Sequence, residues 1–248
     1  MNQKALLIDG HSIINRAFYG IRDLTNSEGL HTNAIYGFLN IFFSIYTKVQ
    51  PDYVLVAFDV KQKTFRHEMY AEYKGNRKPM PQELHEQVPV LKDVLHAMRI
   101  TTVELPGYEA DDILGTYAKK AEAAGMEAVI LSGDRDLLQL ATEKVMISLP
   151  KTKAGKTEYE EYYAADVLAN YQVTPTEFID LKSLMGDASD NIPGIPGIEI
   201  QLIQGDEILA ETETDVYGHY MFEDIYPGHY TLRVTMYPEL AATVHQTD

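Results

Sequence analysis

Two short apolar runs, "KALLID" (4–9) and "DYVLVAFD" (52–59), each end in aspartate, and a helically spaced segment, "NAIYGFLNIFFSIYTKV" (33–49), lies between them. The order repeats further on. Strand-like "ITTVEL" (100–105) and "EAVILSGD" (127–134) flank "YEADDILGTYAKKAEAAG" (108–125), which has helical spacing. Strands alternating with helices predict an α/β fold with a mostly parallel central sheet covered on both faces. Ligands of such sheets gather outside the carboxyl ends of the strands, where Asp9, Asp59 and Asp134 all fall. Further helices are expected at 164–171 and 175–185, and another after Pro81.

Nine carboxylates stand at strand ends or adjacent helix starts: Asp9; Asp59; Glu109, Asp111 and Asp112 in "GYEADD"; Asp134 and Asp136 in "SGDRD"; and Asp187 and Asp190 in "GDASDN". A single acid at a helix start is an ordinary cap, and Asp187 alone reads that way. If all nine converge, repulsion is severe, since two charges about 4 Å apart cost roughly 4 kcal/mol at an effective dielectric near 20. Carboxylates resist protonation at neutral pH, so such a cluster calls for hard divalent ions. With no cysteine and no histidine grouping, oxygen-only ligation selects Mg²⁺ or Mn²⁺ over Zn²⁺. Two or more such ions suit phosphoester hydrolysis.

The net charge of −16 speaks against a nucleic-acid partner only until it is divided. Residues 199–248 hold ten acidic groups and one basic, a net of −9; residues 1–198 hold 27 and 20, a net of −7. Setting aside the nine clustered acids leaves 18 acidic against 20 basic in that first part, or +2. The segment "KQKTFRHEMYAEYKGNRKPMP" interleaves six Lys/Arg with Phe65, Tyr70 and Tyr73. By itself it reads as a solvated loop before a surface helix, although charge mixed with rings also suits single-stranded nucleic acid. Absent cysteine excludes disulfides and thiolate metal sites. No run is long and apolar enough for a signal peptide or a bilayer span, so a cytoplasmic enzyme without a membrane partner is expected.

"LLIDGHSIINRAFYGI", "EYKGNRKP", "GYEADDILGT", "SGDRDLLQL" and "LMGDASDNIPGIPG" together resemble the bacterial 5′-nuclease family, the flap-endonuclease-like domain at the N-terminus of DNA polymerase I and in stand-alone enzymes. The likeness covers residues 1–198 nearly continuously. It implies that Asp9, Asp59, Glu109, Asp111, Asp112 and Asp134 hold the ion that activates water, and that Asp136, Asp187 and Asp190 complete a second site. It makes residues 61–99 a helical arch that passes the 5′ single strand, with Arg66, Tyr73, Lys74 and Arg77 meeting the strand and the scissile phosphate. Lys74 counts among the catalytic residues on this likeness, and Lys182 adds charge nearby. The implied substrate is DNA with a 5′ flap or 5′ end, cut by in-line attack of activated water to leave 5′-phosphate and 3′-hydroxyl. A monomer without a nucleotide cofactor is expected.

The likeness breaks at "NIPGIPGIEIQL". In the family this stretch opens a helix–hairpin–helix over about 187–198, whose amides, at positions such as Gly194 and Gly197, grip the duplex backbone. Here Ile198, Ile200 and Leu202 alternate with Glu199 and Gln201 as in a strand, and Glu199 places negative charge where phosphate should sit. Residues 199–248 resemble a B-type surface-protein or carboxypeptidase-regulatory-like β-sandwich, carried by Thr214-Asp215, Gly218, Tyr220, Phe222, Pro227-Gly228, Tyr230, Leu232 and Val234. About four strands are expected, short of a full sandwich. The sequence thus predicts a nuclease-like domain over 1–198 and a β-rich fragment over 199–248, a chimera joined at "IPGI"; a nuclease variant with a divergent C-terminal subdomain is the alternative. Two other functional readings stand beside an impaired nuclease. One is an inert scaffold with a metal-binding core; the other is a surface-adhesion module with a passenger domain.

Overall fold

The computed structural model describes residues 3–153, 156–215, 218 and 220–234. The chain divides into two compact units, Met1–Ala71 with Lys78–Ile179, and Glu72–Arg77 with Asp180–Asp248.

The first unit opens with β1 (Lys4–Asp9), α1 (Gly10–Gly20), α2 (Asn33–Val49) and β2 (Tyr53–Ala57). The basic segment then supplies a short α3 (Phe65–Met69) and a longer α4 (Gln82–Ala97). The α/β alternation resumes with β3 (Thr101–Val103), α5 (Ala110–Ala123) and β4 (Glu127–Leu131). A 3-10 helix (Arg135–Leu140), the hairpin β5 (Val145–Lys153) and β6 (Lys156–Tyr162), and α6 (Ala164–Tyr171) complete it. The strand order is β3-β2-β1-β4-β5-β6, parallel except for the β5/β6 hairpin. β1 is therefore central, with β2 on one side and β4 on the other. The carboxyl edge beside β1 is where connections diverge and where a crevice opens in such sheets.

Alternation along the strands decides the packing. Leu6 and Ile8 of β1, with Val56 of β2, enter a buried cluster with Ile14 of α1, Phe38 and Ile45 of α2, and Leu91 and Leu95 of α4. Polar Gln87 and Asn33 sit inside this core. Gln87 of α4 is fully buried; its Oε1 accepts from Ala34 N (2.8 Å) and Ile35 N (3.2 Å), and its Nε2 donates to Asn33 Oδ1 (3.0 Å) and Glu83 O (3.0 Å). The cap residue Thr32 makes no side-chain cap bond, so Gln87, 53 positions beyond Ala34, satisfies the amides that open α2. Gln87→Leu keeps the bulk and strands two buried N–H groups and Asn33, so a loss of about 2–4 kcal/mol is expected in urea denaturation.

The second unit holds residues 72–77, the end of α7 (Glu177–Met185), and a three-stranded antiparallel sheet. Its strands are β7 (Glu199–Gln204), β8 (Glu207–Glu213) and β9 (Thr231–Val234), in the order β8-β7-β9. The loop after Gly197 does deliver a strand: Ile198, Ile200 and Leu202 are buried, as their alternation requires. Three strands are present among the described residues against about four expected; the end of the expected β-rich fragment, residues 235–248, lies outside the described residues.

Candidate metal centre and nucleic-acid contacts

Asp9 ends β1 and at once caps α1. Its Oδ1 accepts from Ser12 N (2.9 Å), and its Oδ2 accepts from the buried Ser132 hydroxyl (2.9 Å) just beyond β4. Ser132 Oγ also accepts from Asp134 N (3.1 Å), and Ser12 Oγ from Gly133 N (2.8 Å), so the ends of β1 and β4 are stitched together. Asp134 Oδ1 accepts from Asp136 N (2.8 Å) at the start of the 3-10 helix. Asp59, two residues past β2, accepts from Ala110 N (2.7 Å) at the start of α5, while its own amide donates to His11 Nδ1 (3.0 Å). His11 is held below its ordinary pKa by burial first, against the pull of the Asp59 charge, in keeping with a ring nitrogen that accepts.

The acids of this edge act on one another. Burial raises Asp9 to about 6, and the charges of Asp59 and Asp134 add to the rise while the Ser12 and Ser132 hydrogen bonds oppose it. Asp111 is pushed well above the ordinary carboxylate value, first by burial and then by Asp9, Asp134, Asp59 and Glu109. Its Oδ1 is buried and accepts no hydrogen bond. Asp112 is turned aside: Arg66 forks onto both its oxygens at 2.8 Å, and Glu109 N donates to its Oδ2 (2.9 Å).

Asp187 and Asp190 belong to the second unit. Asp187 Oδ1 accepts from Ser189 N (2.8 Å) and Ser189 Oγ (2.7 Å), and Lys182 Nζ lies 3.9 Å from its Oδ2. Three of the four expected strand contacts collect around Asp190. Tyr73 OH donates to it (2.9 Å), Arg77 Nη2 pairs with it, and Lys74 Nζ stands 3.9 Å away. The two glycines expected to grip DNA are engaged within the second unit, Gly194 by close packing and Gly197 by a backbone hydrogen bond. A Cβ on Gly194 would lie 2.6 Å from Met185 O, and Gly197, at φ +74, donates its amide to Thr214 O (2.8 Å).

Among the described residues, no group of three or more His, Asp or Glu side chains is arranged to hold a metal ion. Most carboxylates of the edge are hydrogen-bonded to backbone amides, hydroxyls or Arg66. In kind, however, the residues fit a hard divalent ion. The donors are oxygens only, neighbouring acids of the first unit raise both Asp9 and Asp111, and one buried oxygen is orphaned. Ser12, Ser132, His11 and Arg66 set the orientation of these acids, and of the four only Arg66 stands out in the sequence. No periodicity marks the other three.

A largely parallel sheet with interacting carboxylates at its carboxyl edge, and a basic excursion between β2 and β3, defines a 5′-nuclease-like α/β domain. Residues 4–172 match the 5′-3′ exonuclease, N-terminal resolvase-like domain, and the chain belongs to that family. Residues 183–248 match the SdrD B-like domain, so two unrelated modules are fused, as a chimera requires. DNA polymerase I of Bacillus caldotenax is 50% identical over 198 residues, and that of Bacillus subtilis 47% over 196; they cover 80% and 79% of this chain. The chain spans only 22% of the length of either. Among solved structures, bacteriophage T5 5′-exonuclease with bound zinc superposes with a TM-score of 0.62 at 27% identity, over 78% of this chain and 70% of that one. The bacteriophage T5 flap endonuclease in a pseudo-enzyme–product complex with DNA and metal ions gives 0.61 at 26%, with the same coverage. No helix among the described residues is long and apolar enough to cross a membrane.

Proposed function

We propose that the chain is a divalent-cation-dependent 5′ nuclease acting on DNA with a 5′ flap or 5′ end, built on a domain ending near Ile198 and weakened by the β-rich replacement that follows. The observation that carries this is Asp111: a buried carboxylate with an orphaned oxygen, surrounded by four other acids at the carboxyl edge. A protein core tolerates such repulsion poorly unless a cation offsets it. When bound there, Mg²⁺ or Mn²⁺ supplies acidified water and charge neutralisation at a phosphate.

The chain's own residues do the rest. Asp9 is fixed at both oxygens by Ser12 and Ser132, which limits its loss of side-chain freedom on ligation. Asp59, Glu109, Asp111, Asp112 and Asp134 complete this set of ligands. Tyr73, Lys74 and Arg77 bring a phenol and two cations to a strand phosphate, and Lys182 adds charge. Phosphate contacts of this kind make affinity fall with salt. Gly194 is closely packed and the Gly197 amide is committed to Thr214 O, which supports a weak duplex grip and cleavage best seen at low salt. The chain acts as a monomer in this reading.

The test is incubation of the full chain with labelled 5′-flap DNA and with blunt duplex, each with Mg²⁺ and with EDTA. Mg²⁺-dependent release of the flap, steeply inhibited by salt, is expected. A flap that stays whole in Mg²⁺ at low salt contradicts the proposal and favours an inert scaffold.

A further inference from the structure

The family resemblance places Arg66 at the DNA strand, yet its guanidinium is directed at an acid of the same unit. Nη1 lies 2.8 Å from Asp112 Oδ2 and Nη2 lies 2.8 Å from Oδ1, with Nη1 also 3.8 Å from Glu109 Oε2. The guanidinium carbon sits 4.6 Å from the centre of the Phe65 ring. Side-chain exposure is 31% for Arg66 and 24% for Asp112, so neither end is freely solvated. A half-buried, two-point arginine–carboxylate pair is the ion-pair geometry that outlasts solvent screening. Asp112 Oδ2 takes a further bond from Glu109 N (2.9 Å), which holds this carboxylate beside α5 even without the arginine.

We propose that Arg66 is a positioning residue and fixed counter-ion for Asp112. It withdraws one carboxylate from the repelling set, and a divalent ion that takes Asp112 as a ligand must displace it. The part concerning the ion rests on the nuclease reading above; the pair itself does not. Mn²⁺ and Arg66 thus compete for the same oxygens, and loss of the arginine leaves the edge one charge more negative.

The experiment is Mn²⁺ titration calorimetry on the full chain and on Arg66→Gln, Arg66→Lys and Asp112→Asn. Arg66→Gln should tighten Mn²⁺ binding about tenfold, an effect of the size a nearby unit charge has on ionic equilibria. Arg66→Lys keeps the charge without the fork and should stay within about threefold of the parent. In the Asp112→Asn background, Arg66→Gln should change affinity by less than about threefold. Unchanged or weaker Mn²⁺ binding by Arg66→Gln overturns the proposal, and a pure DNA contact would give that result. Should the parent bind no Mn²⁺, the nuclease reading fails, and urea unfolding in EDTA decides the pair. Non-additivity of the two changes by at least about fivefold in the unfolding equilibrium constant upholds it, and additivity overturns it.

Discussion

Asp111→Asn is expected to stabilise the cation-free protein while lowering flap cleavage at least about a thousandfold, the scale reached when a group central to transition-state electrostatics is removed. In the folded chain this carboxyl is buried, its Oδ1 accepts no hydrogen bond, and four acids repel its charge. A pKa raised on folding means that stability is fully present below the unfolded value, near 3.8, and is lost as pH rises through the folded value. Asp9 behaves alike: between about pH 4 and its folded value of about 6, its ionisation costs the cation-free protein about 3 kcal/mol. The amide that replaces the Asp111 carboxylate carries no charge, so the variant escapes that penalty for one group and eases it for Asp9. Thermal melts in EDTA at pH 5 and pH 7.5 check this. The parent should lose stability toward pH 7.5 more than the variant, and Mg²⁺ should restore the parent at pH 7.5 and do little for Asp111→Asn. Equal melting of the two proteins in EDTA at pH 7.5 would count against the buried-charge argument.

Gly194→Ala is expected to break the second unit. A Cβ there would stand 2.6 Å from Met185 O and 2.8 Å from Leu184 O. Backbones of Gly186 and Gly218 crowd the same residue, since a Cβ on either would come within 2.3 Å of Gly194 atoms. These neighbours are backbone, held by Ile195 N donating to Leu184 O (2.9 Å) and by the paired amides of Asp187 and Ile192, so they cannot step aside. Overpacking of this severity costs about 3 kcal/mol, at the upper end of the usual range. Hydrogen exchange at the β7 amides should accelerate at least about a hundredfold, which is that energy expressed as a rate. Gly205→Asn is the control. Its φ of +62 suits asparagine and no atom lies within 4 Å of the added carbon, so exchange should barely change.

Much of this architecture is legible in the sequence because periodicity is a local property. β1, α2 and α6 fall on the spans their patterns predict, and β7 follows from three alternating apolar residues. α1 is not anticipated, since "GHSIINRAFYG" follows a strand without a break and its start is set by Asp9, which reads as a site acid rather than a cap. The β5/β6 hairpin escapes for a different reason. Its outer half is polar and carries Pro150, so alternation is lost beyond the part that pairs with β4. The identities of the acids can be read from strand ends, but their orientations cannot. Ser132 meets Asp9 across 123 positions, and Arg66 meets Asp112 across 46, and no pattern along the chain encodes such pairings.

In the proposed function the acids of the first unit gather around cations. Anomalous diffraction from crystals soaked in Mn²⁺ tests that most directly. Anomalous density is expected within bonding distance of the Asp111 Oδ1 position, shared with Asp9 or Asp134 and absent from crystals of Asp111→Asn. A Mn²⁺-soaked crystal with no density at that edge, and Asp111 still without a partner, would contradict it.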